Sequence, residues 1–368
     1  MSTIPDDAST IPPEMAAAAD DLKAGHFQTL TIEPPHRIII TDTLYGTHQI
    51  IEPVLLDLLQ SPDLQRLIGI CQHGVTGHLG LLPGAVKITR FEHSVGACLL
   101  VRTQGATLEE QVAALLHDIS HTVLSHVVDW ALSDDPHEAS FHEVHKARYL
   151  QTTGIPAILA RHGIPLTVLH EEQYPLVELP APHLCADRLD YALRDGLAFG
   201  MLTLDRVRAL LRCLRAFPYP TARHRILVLE DRRVALAFAR VYLQIDQEVW
   251  SHPAHADMYK RTGRLIGDLV RQGKMAEEVL WTLSDEEFWA LLLQLADAEG
   301  AAMLKSFERD GLVEEHGLPL PKNAKIRTVD PDVWENEYVP APLSQLNPEW
   351  AAERQAYIAR REATRALD

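Results

Sequence analysis

The spacing of apolar residues separates a short extended segment near the start of the chain from a long helical one. In RIIITDTLYGTHQII at 37–51, isoleucines flank a polar centre around Gly46, which predicts a strand, a turn and a second strand. From residue 53 to 216, apolar residues recur three and four positions apart, a period typical of amphipathic helices. One of these helices is predicted over 107–119.

The last third of the chain mixes the two patterns. RHRILVLED at 223–231 predicts a short strand, and residues 232–310 return to the helical spacing. KIRTVDPDV at 325–333 predicts another strand within a proline-rich stretch. Asn347 and Pro348 predict the cap and the first position of a final helix.

These patterns predict a mostly α-helical fold with a short N-terminal β-hairpin and a small α+β part at the C-terminus. Residues 1–34, rich in Ala, Pro, Asp, Ser and Thr, predict a flexible arm with one short helix near Met15–Lys23. We expect a helical core over 35–216, followed by a helical and α+β region over 217–368. This C-terminal region would pack on the core or on a partner subunit.

Composition narrows the class of protein. The four cysteines are widely spaced and form no CxxC pair, which favours reduced thiols and a cytoplasmic location. The N-terminus shows no secretory pattern, and no apolar run is long enough to span a membrane. A net charge of −17 disfavours nucleic acid as a partner, because phosphate tracks are bound by cations.

Three separate segments carry the candidate chemistry: RFEHSVG at 90–96, LLHDISH at 115–121 and CADRLDYALRD at 185–195. Together they supply two imidazoles and two carboxylates. Nitrogen and oxygen donors in this combination suit one divalent metal ion: Mn, Fe, Co, Zn or Mg. The candidate ligands are His93, His117, Asp118 and Asp187.

Further polar residues follow the second of these segments. On the predicted helix, His121 lies one turn beyond His117 and shares its face. His126 and Asp129 also share a face, but on an unbroken helix His126 would point away from His117. A break of the helix within 120–124 would bring His126 into the same pocket.

The third segment predicts a nucleotide cradle. Asp187, Tyr191 and Asp195 follow one another at intervals of four and so line one stripe of a helix, with Arg188 and Arg194 beside it. The metal end would meet phosphate, the aromatic ring would meet the sugar, and the far acid would meet a sugar hydroxyl.

Simpler interpretations compete with these. Tyr191 fits a core position equally well, and Asp190 with Arg194 fits an ion pair on a helix surface. Five other histidines are interpreted as structural: His137, His145, His162, His170 and His255. The arginines at 206, 208, 212, 215, 223 and 225 favour a solvated helix face, with an effector or oligonucleotide site as the minority interpretation.

The full set of motifs resembles the HD-domain phosphohydrolases, in particular the branch of deoxynucleoside triphosphate triphosphohydrolases. The resemblance covers about residues 53–300 and is carried by LQRLIGICQHG (64–74), PGAVKITRFEHSVG (83–96), HDISHTVLSHVVD (117–129), FHEVHKA (141–147) and ADRLDYALRD (186–195). WSHPA at 250–254 and KIRTVDP at 325–331 look like weaker signatures of the same family. The family usually carries a glycine in place of Ser120 and Gly-Pro-Phe in place of residues 122–124.

The resemblance implies that the core at 35–216 is an HD-domain helical bundle and that the four candidate ligands hold its metal. It implies proton-transferring, catalytic roles for His121, His126, Asp129, His142 and Glu143. It also implies substrate contacts from Gln72, Arg90, Arg188, Tyr191 and Asp195. The two arginines would bind phosphate, and Gln72 and Asp195 would lie near the 3′ side of a sugar.

We therefore expect metal-dependent hydrolysis of a nucleotide, with a deoxynucleoside triphosphate giving the deoxynucleoside and inorganic triphosphate. A phosphodiesterase or nucleotidase acting on another phosphate ester is the alternative among enzymes. The alternative that is not an enzyme is a nucleotide-sensing module with a vestigial site. The resemblance also leads us to expect a homo-oligomer.

Overall fold

The computed structural model describes residues 27–33, 37–132, 140–313, 318–321, 324–335 and 339–365. Within these ranges the chain is mostly helical, with two small sheets, which confirms the predicted fold class. No helix in them has the length and apolar character needed to cross a membrane. The short helix predicted near Met15–Lys23 lies outside the described residues.

The N-terminal sheet contains three antiparallel strands, β1 (Gln28–Glu33), β2 (Arg37–Asp42) and β3 (Gly46–Ile50). β2 alternates buried and exposed residues, and its Ile38 pairs with Ile50 across the sheet. The predicted hairpin is thus β2 and β3. β1 occupies a segment predicted as part of the flexible arm; its side chains are only partly buried, so its own pattern is weak and pairing with β2 fixes it.

Ten helices form the first helical region. They are α1 (Pro53–Leu59), α2 (Pro62–Gln65), α3 (Gly74–His78), α4 (Arg90–Thr103), α5 (Leu108–Leu116), α6 (Asp129–Leu132), α7 (Phe141–Val144), α8 (Lys146–Leu150), α9 (Ile155–Arg161) and α10 (Ala186–Ala198). α4 is buried from Arg90 to Val101 and packs against α5 and α10, so it forms the centre of this region. Thr89 and Thr107 begin α4 and α5 with capping boxes.

The helix predicted over 107–119 ends earlier than expected. α5 stops at Leu116, and residues 117–120 form turns. Leu124 and Ser125 then adopt positive φ angles of 52° and 49°, in the left-handed region that side chains rarely enter. This is the break that His126 needed in order to turn back toward His117.

The C-terminal region begins with α11 (Leu204–Cys213), β4 (Leu214–Phe217), β5 (Ile226–Leu229), α12 (Arg232–Ile245) and a π-helical turn, Asp246–Trp250. It continues through α13 (Pro253–Arg271), α14 (Asp285–Leu295), α15 (Ala298–Asp310), β6 (Asp332–Val333), β7 (Ala341–Pro342), α16 (Leu343–Leu346) and α17 (Pro348–Ala363). The strands form one sheet in the order β4-β5-β6-β7, with β5 and β6 parallel.

Two predictions for this region have different outcomes. The strand predicted at 223–231 is β5, and Asn347 caps α17 by accepting bonds from two backbone N–H groups. The strand predicted at 325–333 is wrong for most of its length, since only Asp332–Val333 pairs in a sheet. The preceding residues are held by loops instead: the backbone N–H of Asp330 donates to Pro182.

One continuous hydrophobic core joins the two helical regions. It includes Ile38 of β2, Leu115 of α5, Leu189 of α10 and Trp350 of α17, all of them buried. The C-terminal region therefore packs directly on the helices that carry the candidate ligands.

Candidate active site

The four predicted ligands come together beside α4 and α10. Nε2 of His93 lies 3.1 Å from Nε2 of His117 and 2.9 Å from Oδ1 of Asp187. The Asp118 carboxylate lies 3.8 Å from His93 Nε2 and 3.7 Å from His117 Nε2. Donors that bind one cation at about 2.1 Å are about 3.0 to 3.4 Å apart, so these side chains fit a single divalent metal with little movement.

Hydrogen bonds orient both imidazoles toward this point. Nδ1 of His117 lies 2.7 Å from the carbonyl oxygen of Ala114, which can only accept, so Nδ1 carries the proton and Nε2 keeps its lone pair. Nδ1 of His93 lies 2.8 Å from Asp190 Oδ2 and is fixed in the same way. Bonds of this kind behind a ligand are typical of metal-binding histidines.

Asp190 and Arg194 are a buried pair, which corrects their interpretation as a helix-surface ion pair. Neither is exposed to solvent, and Arg194 Nε donates to Asp190 at 2.9 Å while its NH2 group donates to Asp42 at 2.7 Å. A Cβ at Gly96 of α4 would overlap both side chains. A glycine inside a buried helix is the sequence signal that could have indicated this close approach.

Electrostatics around the ligands favour a bound cation. Burial alone would raise the pKa of Asp118, but Arg90 and the two ligand histidines hold it well below its usual range. Burial likewise opposes the protonated form of His93, yet hydrogen bonds to Asp187 and Asp190 outweigh it and raise its pKa to about 10. The site is a buried concentration of negative charge that attracts protons when no metal competes for the same lone pairs.

A second cluster, His121, His126 and His142, adjoins the ligands. The rings of His121 and His142 stack with centroids 3.6 Å apart, and His126 meets His121 edge-on at 5.1 Å. Asp129 accepts a bond from His126 Nδ1 at 2.9 Å, which leaves Nε2 of His126 as the atom free for chemistry. Within the described residues, Nδ1 of His121 and Nδ1 of His142 are buried without a hydrogen-bond partner.

These three histidines are kept neutral. Burial lowers the pKa of His142 to about 3 and that of His121 well below its usual value. Burial also lowers the pKa of His126, although its bond to Asp129 partly opposes the shift. Their rings therefore present lone pairs and N–H groups, without positive charge, beside the metal ligands.

A carboxylate from a distant helix fixes the turn that delivers His126. Asp285 of α14 accepts bonds of 2.7 Å from the backbone N–H of Leu124 and from that of Cys71. A left-handed leucine costs about 1 to 2 kcal/mol, which these two buried bonds offset. Burial raises the pKa of Asp285 to about 6. The sequence did not indicate this residue, because nothing near position 285 shows what it contacts.

The two predicted phosphate-binding arginines are engaged within the protein. Arg90 donates to Asp118 at 2.8 Å, to the hydroxyl of Ser125 and to the carbonyl of Gln72. Arg188 donates to the carbonyls of Leu179 and His183.

Glu143 likewise has a structural partner, since its carboxylate accepts from the backbone N–H of Ser140 and caps α7. Arg90, Arg188 and Glu143 nevertheless all line the cavity that contains the ligands.

The predicted sugar-binding stripe is also engaged. Both carboxylate oxygens of Asp195 have partners, His73 Nε2 at 2.9 Å and the indole N–H of Trp250 at 2.6 Å. The hydroxyl of Tyr191 bonds to that of Tyr242. The side-chain amide oxygen Oε1 of Gln72, unlike its backbone carbonyl, is buried without a partner among the described residues.

The predicted catalytic and substrate-contacting residues line one cavity of about 860 Å³ together with His117, Asp118 and Asp187, whereas the fully buried His93 is not part of its wall. Its walls include His117, Asp187, His126, His142, Tyr191 and Trp250. Residues of the C-terminal region complete it, among them Lys325, Arg327 and Arg354. The cavity is large enough for a nucleotide-sized molecule.

Comparison with known proteins identifies the family of this chain. No protein-family model matches the chain. The metal-dependent phosphohydrolase cns2 of Cordyceps militaris is 56% identical over 336 residues, which cover 91% of this chain and 96% of that protein. The chain belongs to the metal-dependent phosphohydrolases. The uncharacterized protein YdhJ of Bacillus subtilis is 33% identical over 308 residues, or 80% of this phosphohydrolase and 88% of that protein.

Similarity to deoxynucleoside triphosphate triphosphohydrolases is more limited. SAMHD1 of Danio rerio is 30% identical over 149 residues, or 35% of this phosphohydrolase and 23% of that protein. SAMHD1 of Homo sapiens is 35% identical over 106 residues, or 25% of this phosphohydrolase and 16% of that protein. These matches support the HD-domain phosphohydrolase family as a whole and leave the substrate open.

Several residues of this phosphohydrolase's cavity escaped the sequence reasoning. His73 and Trp250 were not connected with Asp195, although each stands in a motif that carried the family resemblance. Lys325 and Arg327 were assigned to a strand, whereas their segment lines the cavity. His255, interpreted as structural, also lines it, and burial lowers its pKa to about 3.

Proposed function

We propose that this protein hydrolyses a phosphate bond of a nucleotide, and that its specific reaction converts a deoxynucleoside triphosphate into a deoxynucleoside and inorganic triphosphate. The observation that carries the proposal is the contact between two differently charged groups in one cavity. Four convergent donors lie beside three neutral histidines, and Oδ1 of Asp118 is 3.4 Å from Nε2 of His121.

His93, His117, Asp118 and Asp187 would hold the cation. A divalent metal supplies Lewis-acid polarisation of a phosphoryl oxygen and acidifies a water molecule near neutral pH. The protein's own contribution is to keep the carboxylates ionised and to point both Nε2 atoms inward through the bonds to Asp190 and Ala114.

We propose His126 as the proton donor to the leaving oxygen, with Asp129 holding its ring. The ring is neutral in the free protein, and an anionic phosphate that enters the cavity would raise its pKa and load it with a proton. His121 is the alternative donor. His142 would then support His121 by stacking, and Glu143 would act by fixing the helix that carries His142.

The substrate contacts extend this proposal. Arg90 would stabilise charge on the phosphate through the hydrogen-bonding capacity it retains beyond Asp118, and Arg188 would add to the positive field. Tyr191 would face the sugar, with Gln72 and Asp195 near its 3′-hydroxyl. The unpartnered oxygen of Gln72 supports a hydrogen-bonding role for that side chain.

A second function is favoured by a specific observation. Asp195 and Tyr191 already bond to His73, Trp250 and Tyr242, so the cavity does not need a deoxysugar to satisfy them. A nucleotidase or phosphodiesterase acting on another phosphate ester is therefore the second candidate. A sensing module with a vestigial site is less well supported, because His93, His117 and Asp118 lie together and Asp187 is in contact with His93.

The proposal is tested by product analysis. Purified protein would be incubated with Mn, Co or Mg and with each dNTP, its matching rNTP, nucleoside monophosphates and a cyclic nucleotide. We expect inorganic triphosphate and deoxynucleoside from dNTPs, and slower turnover of rNTPs. Orthophosphate or an opened cyclic phosphate as the main product would replace the first candidate with the second.

The paired sugar assay is repeated with Asp195→Ala. We expect weaker substrate use with metal binding retained, because Asp195 lies on the sugar side of α10. If the wild type hydrolyses dNTPs and rNTPs at equal rates, the proposed triphosphohydrolase reaction is wrong.

A cytoplasmic location and a homo-oligomer stay proposals. Light scattering with size-exclusion chromatography would test the latter.

A further inference from the structure

The segment 324–330 passes along the active-site cavity and is firmly anchored there. Lys325, Arg327 and Thr328 line the cavity, and Val329 next to them is completely buried. Asp330 fixes the end of the segment: its carboxylate accepts bonds from the backbone and hydroxyl of Ser344 and from the indole of Trp350. These bonds hold the segment in place although it belongs to no sheet.

The cations of this segment form no side-chain ion pair with a described residue, although the charge of Arg327 opposes the rise in pKa that burial gives the Asp246 carboxyl. Among the described residues, neither Lys325 nor Arg327 forms an ion pair, even though the chain carries a net charge of −17. Glu143, an acid that the charge of Lys325 influences, already caps α7. A cation that lines a cavity without a side-chain ion pair keeps its capacity to bind an anionic ligand.

The two cations reach different parts of the cavity. Burial lowers the pKa of His126, and the charge of Lys325 adds to that shift, so Lys325 lies near the proposed proton donor. Burial raises the pKa values of Tyr191 and Tyr242, and the charge of Arg327 opposes both shifts. Arg327 therefore lies near the aromatic side. Both line the same cavity as the candidate ligands His117, Asp118 and Asp187.

Arg354 of α17 holds the segment 324–330 in place. It lines the same cavity, and its Nε donates to the hydroxyl of Thr328 at 3.0 Å. The arginines that the sequence pointed to are less available, since Arg90 is paired with Asp118 and Arg188 is bonded to backbone carbonyls. The unpaired positive charge facing an incoming phosphate thus comes from the C-terminal region.

We propose that Lys325 and Arg327 form the phosphoryl-binding wall of this active site. The segment 324–330 would bring these two charges to a phosphoryl group positioned over the metal ligands, with Arg354 holding the segment through Thr328. The inference rests on the proposed function, because it takes the ligand to be the phosphate part of the substrate.

The test measures binding of inorganic phosphate, pyrophosphate and triphosphate by isothermal titration calorimetry, with Mn-loaded and with EDTA-treated protein. Lys325→Ala and Arg327→Ala should each weaken binding about tenfold to a hundredfold, the scale of a lost charge-assisted hydrogen bond. Lys325→Arg and Arg327→Lys should restore much of the affinity. The loss should persist after EDTA treatment, because the wall acts independently of the metal.

Matched controls come from exposed cations outside the cavity. Lys305→Ala on α15 and Arg264→Ala on α13 should leave binding within about twofold of wild type, while affinity falls with added salt. Both wall residues are at least partly exposed, and thermal melting will verify that the variants fold. Unchanged affinity in Lys325→Ala and Arg327→Ala, or no phosphate binding by the wild type, overturns the wall.

Measuring nucleotide turnover distinguishes a failure of this inference from a failure of the proposed function. If the wild type binds phosphates through these residues but hydrolyses no nucleotide with Mn, Co or Mg, the wall stands and the proposed function fails. If the wild type hydrolyses nucleotides and both variants keep its KM, the function stands and the wall is wrong. A raised KM with kcat changed less than about threefold supports both.

Discussion

Two groups of histidines lie a few ångströms apart in this protein and behave in opposite ways. His93, in the ligand group, faces Asp187 and Asp190 and has its pKa raised to about 10. His142, in the neighbouring group, is also buried, but its Nδ1 has no hydrogen-bond partner among the described residues, and burial lowers its pKa to about 3. The comparison shows that partners, and not burial alone, decide the charge of an imidazole.

The difference explains how one cavity can support two tasks. The ligand group gathers negative charge and so favours a cation, whereas the second group stays neutral and can exchange protons. Asp118 and Arg90 stand between them: Asp118 contacts both groups, and Arg90 contributes to the lowered pKa values of the second. Each prediction below disturbs one side of this comparison.

The largest effect is expected from the ligand group. Asp118→Ala or His117→Ala should remove bound metal and reduce hydrolysis roughly a thousandfold or more, because the cation loses a donor. Metal analysis, activity and circular dichroism would be measured together. His162→Ala, a histidine paired with Asp57 outside the cavity, should change neither metal nor activity. Full activity in either variant would show that these residues are not required metal ligands.

The next effect concerns the neutral group. His126→Ala should keep its metal but turn over roughly a hundredfold more slowly, the usual scale for a lost general acid. Single-turnover kinetics with metal content would show this. If His121→Ala is crippling and His126→Ala is silent, the two histidines exchange roles.

A smaller effect is expected behind the ligands. Asp190→Asn should weaken metal affinity about tenfold to a hundredfold, because the Nδ1–H of His93 loses its carboxylate. Metal titration with a competing chelator would measure the change. Asp195→Asn on the same helix is the matched control, since its bonds lead to His73 and Trp250. An equal loss in both variants would show a general effect on α10.

The smallest effect concerns the turn between the groups. Burial raises the pKa of Asp285 from 3.8 to about 6, so the folded protein holds a proton that the unfolded chain releases. The stability this proton provides is complete below about pH 4 and is lost as pH rises through 6. Relative to Asp285→Asn, the wild type should lose roughly 2 to 3 kcal/mol across that window.

Urea unfolding at pH 4.5 and pH 7 would measure this difference. Glu286→Gln, an exposed neighbour on α14, serves as control and should track the wild type. A wild type that instead gains stability over Asp285→Asn as pH rises would show that the two backbone N–H groups outweigh burial.

Local patterns in the chain determined much of this protein. The period of apolar residues predicted the helices, and Asn347 with Pro348 predicted the start of α17, because caps and periodicity depend on residues within one or two turns. The four candidate ligands stay a prediction. It came from imidazoles and carboxylates in three motifs, a donor combination that suits one divalent cation.

Only the tertiary structure decided the rest. Leu124 enters a left-handed turn because Asp285, 161 residues away, binds its backbone. Arg194 is buried because Gly96 lets α10 approach α4. Arg327 faces the cavity because loops, and not a strand, hold its segment. Burial and distant charges arise from packing between remote segments, so no local pattern could encode them.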